Sequence, residues 1–218
     1  ITPNDSEELR PFRWELTDID SDGDLELCFG DRRSNYRYGV ISVDDIPDDG
    51  TTSANWTLET SGYEKELPAG TVYDMVVIDN AMYLIHDDGN ITVVKYVNGV
   101  WQDPISVPDK MSGGSWKSAS VVDVDGDGQK EIYVGGWFGG NSKIMLFKPD
   151  TFEIIKGTPI YDFTNLIGPN RLNGGTYGDI DLDGNMDVFF GTRTSEPRAS
   201  IIRMEYIGGN IEDSTSYE

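Results

Sequence analysis

Short apolar runs of three to seven residues, broken by turns rich in glycine and carboxylate, recur along the whole chain. Runs such as Ile132-Tyr133-Val134 and Val188-Phe189-Phe190 are apolar at consecutive positions, which predicts strands covered on both faces. Helical periodicity is nearly absent. "ITVVKYVNGVW" reads as a hairpin turning at Asn98-Gly99, and "KIMLFKPDTFEII" as another turning at Pro149-Asp150. The pattern predicts an all-β chain.

Three of the turns share one figure: "DIDSDGDLELCFG" from Asp18, "DVDGDGQKEIYVGG" from Asp123 and "DIDLDGNMDVFFG" from Asp179. The first two copies are separated by 105 residues and the last two by 56, so one copy is missing between Asp18 and Asp123. "YDMVVIDNAMYLIHDDG" fills the gap. Its Val77-Ile78-Asp79 aligns with Val121-Val122-Asp123 and its Met82-Tyr83-Leu84 with Ile132-Tyr133-Val134, with the acidic loop shortened to a tight turn. Starts at Asp18, Asp79, Asp123 and Asp179 lie on average about 54 residues apart, a period that marks repeated supersecondary units. The expected architecture is a β-propeller of four repeats, at roughly 5–66, 67–111, 112–168 and 169–218, within one domain 1–218. A β-solenoid is the weaker alternative, because its repeats are shorter.

The formal charge of −22 argues against nucleic acid and against adsorption to anionic lipid, and makes cations the natural partner. No apolar run reaches the length of a membrane span, and Ile1 opens no signal peptide, so the chain reads as mature or as an excised piece. Cys28, the single cysteine, leaves no internal disulfide framework and reads as a core residue, while His86, the single histidine, has no evident orienting partner for a Cys-His pair. Asn-x-Ser/Thr sequons at Asn4, Asn55 and Asn90 favour secretion.

Carboxylates crowded into one turn repel unless a cation holds them. Acidic residues at positions 1, 3, 5 and 9 of a nine-residue loop, with glycine at 6 and a backbone carbonyl at 7, match a calcium shell of about 6–8 oxygens. The ligands are then Asp18, Asp20, Asp22 and Glu26 with the Asp24 carbonyl; Asp123, Asp125, Asp127 and Glu131 with the Gln129 carbonyl; and Asp179, Asp181, Asp183 and Asp187 with the Asn185 carbonyl. Gly23, Gly128 and Gly184 supply the sharp turn. An EF-hand needs a bidentate Glu at position 12, where this chain has Phe29, Val134 and Phe190, and magnesium would demand a tighter octahedron. The expectation is Ca²⁺, three per chain, structural because each hairpin saturates its own ion.

Acidic loop, apolar strand and a following Phe-Gly or Gly-Gly ("LCFG", "YVGG", "VFFG") resemble the FG-GAP or VCBS-type repeats of integrin α-subunit propellers and of many secreted microbial proteins. That family usually closes about seven blades, so four units imply a four-bladed ring or part of something larger. The resemblance implies an extracellular or cell-surface setting, with the turns after the metal hairpins on the opposite face, where partners bind. Those turns, 30–39, 86–90, 135–142 and 191–200, hold five of the nine arginines: Arg32, Arg33, Arg37, Arg193 and Arg198. With Tyr36, Tyr38, Trp137 and Phe138 they would form a rim for an acidic glycan or a protein carboxylate. The expected function is a calcium-stabilised binding or adhesion module. The alternatives are a subunit of a surface fibre or multi-chain assembly, and a secreted polysaccharide lyase or other carbohydrate-active enzyme; no catalytic residue stands out.

Overall fold

The computed structural model describes residues 11–32, 38–43, 56–59, 71–87, 89–106, 114–138, 141–149, 153–154, 161–193 and 201–218. They form an all-β structure of four antiparallel sheets, each with its main path of strands in chain order. The first sheet holds β1 (Pro11–Thr17), β2 (Glu26–Asp31), β3 (Tyr38–Val43) and β4 (Trp56–Leu58). The second holds β5 (Val72–Ile78), β6 (Ala81–His86), β7 (Ile91–Val97), β8 (Val100–Trp101) and β9 (Ile105–Ser106). β10 (Gly114–Val122), β11 (Glu131–Phe138), β12 (Asn141–Lys148), β13 (Glu153–Ile154) and β14 (Tyr161–Asp162) make the third. After the one-turn helix α1 (Thr164–Ile167), β15 (Leu172–Gly178), β16 (Asp187–Thr192) and β17 (Ile201–Glu205) make the fourth. Residues 217–218 extend its edge through the exchange of two backbone hydrogen bonds between Glu205 and Glu218, 2.9 and 3.0 Å.

The chain divides into two compact units, residues 1–86 with 91–106 and residues 87–90 with 107–218. In the first unit β1 and β2 pack on β5, and the core gathers Ile19, Cys28, Val40, Met75, Met82 and Leu84. In the second β10 and β11 pack on β15, around Tyr133, Ile144, Leu146, Leu172, Val188 and Phe190. β6 is buried along its whole length, as its doubly apolar sequence predicts.

The glycine of the apolar strand has a packing reason. A Cβ on Gly30 would lie 2.5 Å from Val72 Cγ1, and one on Gly135 would lie 2.7 Å from the Phe190 ring, so in each unit this glycine lets the neighbouring sheet pack against the strand. The shortened hairpin also has its expected form. Val77 pairs with Met82 as Val121 pairs with Ile132, and Ile78 pairs with Ala81 across the two-residue turn Asp79-Asn80. Asn98 and Gly99 both have positive φ, 51° and 80°, as a type I′ turn between β7 and β8 requires. β12 and β13 form the other expected hairpin, with Asp150 outside the described residues.

Cys28 is fully buried in the first unit's core, and burial pushes its thiol far above the usual range. His86 is also fully buried and shares a 2.9 Å hydrogen bond with Thr92 Oγ1. Asn90 is only 5% exposed, which closes this sequon to glycosylation in the folded chain; Asn4 and Asn55 lie outside the described residues. Among the described residues no helix is long and apolar enough to cross a membrane.

Candidate metal centres

Each acidic loop joins the first two strands of its sheet: β1 to β2, β10 to β11 and β15 to β16. The backbone is the same in all three. Position 6 is a glycine with positive φ, at Gly23 (101°), Gly128 (91°) and Gly184 (96°). Position 4 is left-handed as well, at Gly126 (75°) but also at Ser21 (65°) and Leu182 (62°), where a side chain makes that conformation costly. This second reversal is not legible in the residues, because only one loop places glycine there.

The position 1 carboxylate caps the turn with both oxygens. Asp18 accepts from the N–H groups of Asp22 and Gly23 (3.1 and 3.2 Å), Asp123 from Gly126 and Gly128 (2.8 and 3.0 Å), and Asp179 from Asp183 and Gly184 (3.1 and 2.9 Å). Position 5 accepts from the N–H of position 7, at Asp22, Asp127 and Asp183 (2.9, 2.7 and 2.8 Å). Position 9 reaches back to the N–H of position 2: Glu26 to Ile19 (2.9 Å), Glu131 to Val124 (3.2 Å) and Asp187 to Ile180 (3.0 Å). These nine-residue loops therefore fold as one design, with the position 9 acid buried in every copy.

Oxygens of Asp18, Asp20 and Asp22 lie within 4.8 Å of one another, as do those of Asp123, Asp125 and Asp127, close enough to share one cation. In the third loop the group is Asp179, Asp181 and Asp187. A buried orphan marks the first loop: Glu26 is fully buried, and its Oε1 has no hydrogen-bond partner while Oε2 is held by Ile19. Burial pushes Glu26 up to about 7 against the pull of the Ile19 N–H, with Asp20, Glu59 and Asp22 adding to the rise. Glu131 is likewise pushed up to about 7 by burial first, and then by Asp125, Asp127 and Asp123. A hard divalent cation would satisfy the Glu26 oxygen and cancel the repulsion, and the acid group of each of the three loops could hold one metal ion.

Three residues outside the loops belong to the centres and were not expected. Glu59, after β4, has its carboxyl pushed up by burial first and then by Asp20 and Asp22 of the first loop. Asn80, in the shortened hairpin, donates to the Ile19 carbonyl at 2.9 Å and lies 3.5 Å from Ser21 Oγ. Arg203, on β17, donates through Nε to Asp187 Oδ1 (2.5 Å) and through Nη2 to Asp181 Oδ2 (2.7 Å) and to Glu205 Oε2.

Of the expected partner rim, Arg32 stands beyond the end of β2, far along the strand from the first loop. Its guanidinium lies 5.5 Å from the Phe12 ring centre and 5.4 Å from that of Tyr73. Buried Asp31 and Asp74 belong to the same strand ends, with Arg13 Nε 3.9 Å from Asp74 Oδ1. Tyr38 is buried in the core. Trp137 lies under Arg171, 5.7 Å away, and Arg193 is exposed at the end of β16. Arg33, Tyr36, Arg37, Arg198 and the Phe138 side chain lie outside the described residues.

No family model and no curated protein matches the chain. Among solved structures it is similar to a thermostable family-43 glycoside hydrolase, with a TM-score of 0.49 and 10% identity over 89% of this chain and 71% of that one. It is similar also to the Bombyx mori GH32 β-fructofuranosidase BmSUC1, with a TM-score of 0.46 and 11% identity, covering 96% of this chain and about half (51%) of the other. Function therefore rests on the chain's own residues.

Proposed function

We propose that this chain is a calcium-stabilised β-propeller module of the FG-GAP/VCBS type, acting outside the cell to bind an acidic glycan or protein carboxylate. One observation carries the metal part: in all three loops the carboxylates at positions 5 and 9 hold the same backbone N–H groups, and the first loop leaves a fully buried Glu26 oxygen without a partner. Sheets in chain order, paired within each unit, are the repeat that a propeller needs. Calcium in these loops holds hairpins; it does not meet a substrate, since each loop saturates its own ion.

The strand ends away from the first loop support the binding part. There Arg32, Phe12 and Tyr73 offer a guanidinium with aromatic faces, a combination suited to a carboxylate or sulfate on a sugar ring. Buried Asp31 and Asp74 at the same ends favour a second reading, a carbohydrate-active enzyme, because acids held out of water are the raw material of general acid–base chemistry. Glycoside hydrolases are also what the two similar structures are named.

A panel of neutral and acidic polysaccharides separates the readings. The binding module retains acidic glycans, releases no product, and loses retention when Arg32, Arg33 and Arg37 are replaced by Ala with the melting temperature unchanged. New reducing ends or unsaturated products, abolished by Asp31→Asn or Asp74→Asn, would establish the enzyme instead. Absence of both binding and turnover would overturn the assignment of this face.

A further inference from the structure

We infer that the third acidic loop is closed by an internal cation, the guanidinium of Arg203, so that the chain holds two tight calcium ions rather than three. This rests on the calcium reading of the loops and changes its count. Arg203 touches the side chains at positions 3 and 9, Asp181 and Asp187, and continues to Glu205. Positions 3 and 9 are ligands that an ion would need.

Register shows that the arginine is particular to this hairpin. Two residues beyond the position 9 acid, Cys28 pairs with Val40 in the first sheet, Tyr133 with Leu146 in the third, and Phe189 with Arg203 in the fourth. Val40 and Leu146 are buried and apolar, and bring no charge to their loops. The composition of the acid group differs accordingly. Oxygens at positions 1, 3 and 5 cluster in the first two loops, whereas positions 1, 3 and 9 cluster in the third, where the arginine bridges Asp181 and Asp187 and Asp183 is left aside.

The acid at position 9 explains the exchange. Asp187 is fully buried, and one of its oxygens already accepts the Ile180 N–H, so the other must find a positive partner or lie unpaired. In the first loop Glu26 Oε1 has none; in the third the partner is built in. Calcium entering there must displace charge-assisted hydrogen bonds from ligands it needs, which weakens that site by about tenfold or more relative to the others. The Arg203 side chain is 38% exposed, so it can swing aside at high calcium.

Calorimetric titration of the chelator-treated full chain with calcium tests this, alongside three variants. Wild type should bind two ions tightly, and a third only at about tenfold higher concentration or above. Arg203→Val, which copies the first sheet, should bind three tightly and lose more melting temperature than wild type when calcium is removed. Should that variant not fold, isosteric substitutions decide: Asp127→Asn should weaken one tight site, and Asp183→Asn should leave the tight isotherm unchanged. Three equivalent sites in wild type, or equal effects of Asp127→Asn and Asp183→Asn, would overturn the arginine closure while leaving the calcium reading intact. No calcium bound by wild type would overturn the calcium reading itself.

Discussion

Glu26 and Ile19 meet across the mouth of the first loop, the carboxylate accepting the backbone N–H at 2.9 Å with one oxygen and leaving the other, fully buried, with no partner. Replacing Glu26 by Gln keeps the shape and removes the charge. The calcium-free chain should then melt higher than calcium-free wild type, and one tight calcium should be lost from the titration. A variant that still binds the wild-type number of ions would remove Glu26 from the ligand set.

Glu26 and Glu131 also set a pH dependence. Each is raised from the usual 4.5 to about 7 in the calcium-free fold, by burial first and then by its acidic neighbours. A carboxyl held above its unfolded value favours the folded state at low pH, and that contribution is lost as pH rises from about 4.5 through 7. Melting in chelator should therefore worsen across this window, and the stabilisation given by calcium should grow. The Glu26→Gln, Glu131→Gln double variant should flatten the difference; an unchanged pH profile would contradict the assignment.

Leu182 holds φ 62° and is almost wholly exposed, so its side chain contributes strain and little packing. Leu182→Gly should stabilise the chain by about 1 kcal/mol in chemical denaturation, because glycine adopts this conformation without the penalty. Destabilisation would mean that the loop does not need the left-handed turn.

Gly135→Ala should cost about 1–3 kcal/mol, since the added carbon would lie 2.7 Å from the fully buried Phe190 ring, which must shift within the core. Denaturation with the slope unchanged is the expected form, and a cost below about 0.5 kcal/mol would mean that the two sheets part easily.

The parts of the fold that are local in sequence could be read from it. Asp18 to Glu26 is a closed nine-residue figure, the Asn98-Gly99 turn needs only two residues, and the shortened hairpin at Asp79 is visible by aligning its flanking strands. What was missed comes from strand register. Arg203 stands 16 residues beyond Asp187 and Asn80 stands 61 beyond Ile19, so neither belongs to a loop motif. Only the pairing of β16 with β17, and the packing of the two sheets in the first unit, bring them in. No arginine lies inside the loops, yet the charge that bears on the third loop arrives from the side. The left-handed Ser21 and Leu182 were hidden for a related reason: a ligand-binding turn can force its backbone on residues whose own preference is against it.

Asn80 gives the shortened hairpin a use of its own. By donating to the Ile19 carbonyl it latches the hairpin of the second sheet onto the loop of the first. A turn two residues long can present an amide there, whereas a nine-residue acidic loop would remove that amide and set a second cluster of carboxylates beside the first. Grafting the missing motif back between Ile78 and Ala81 would therefore trade a fastener for a repulsion. In this chain the absent fourth loop is a working part, and symmetry between the repeats would weaken it.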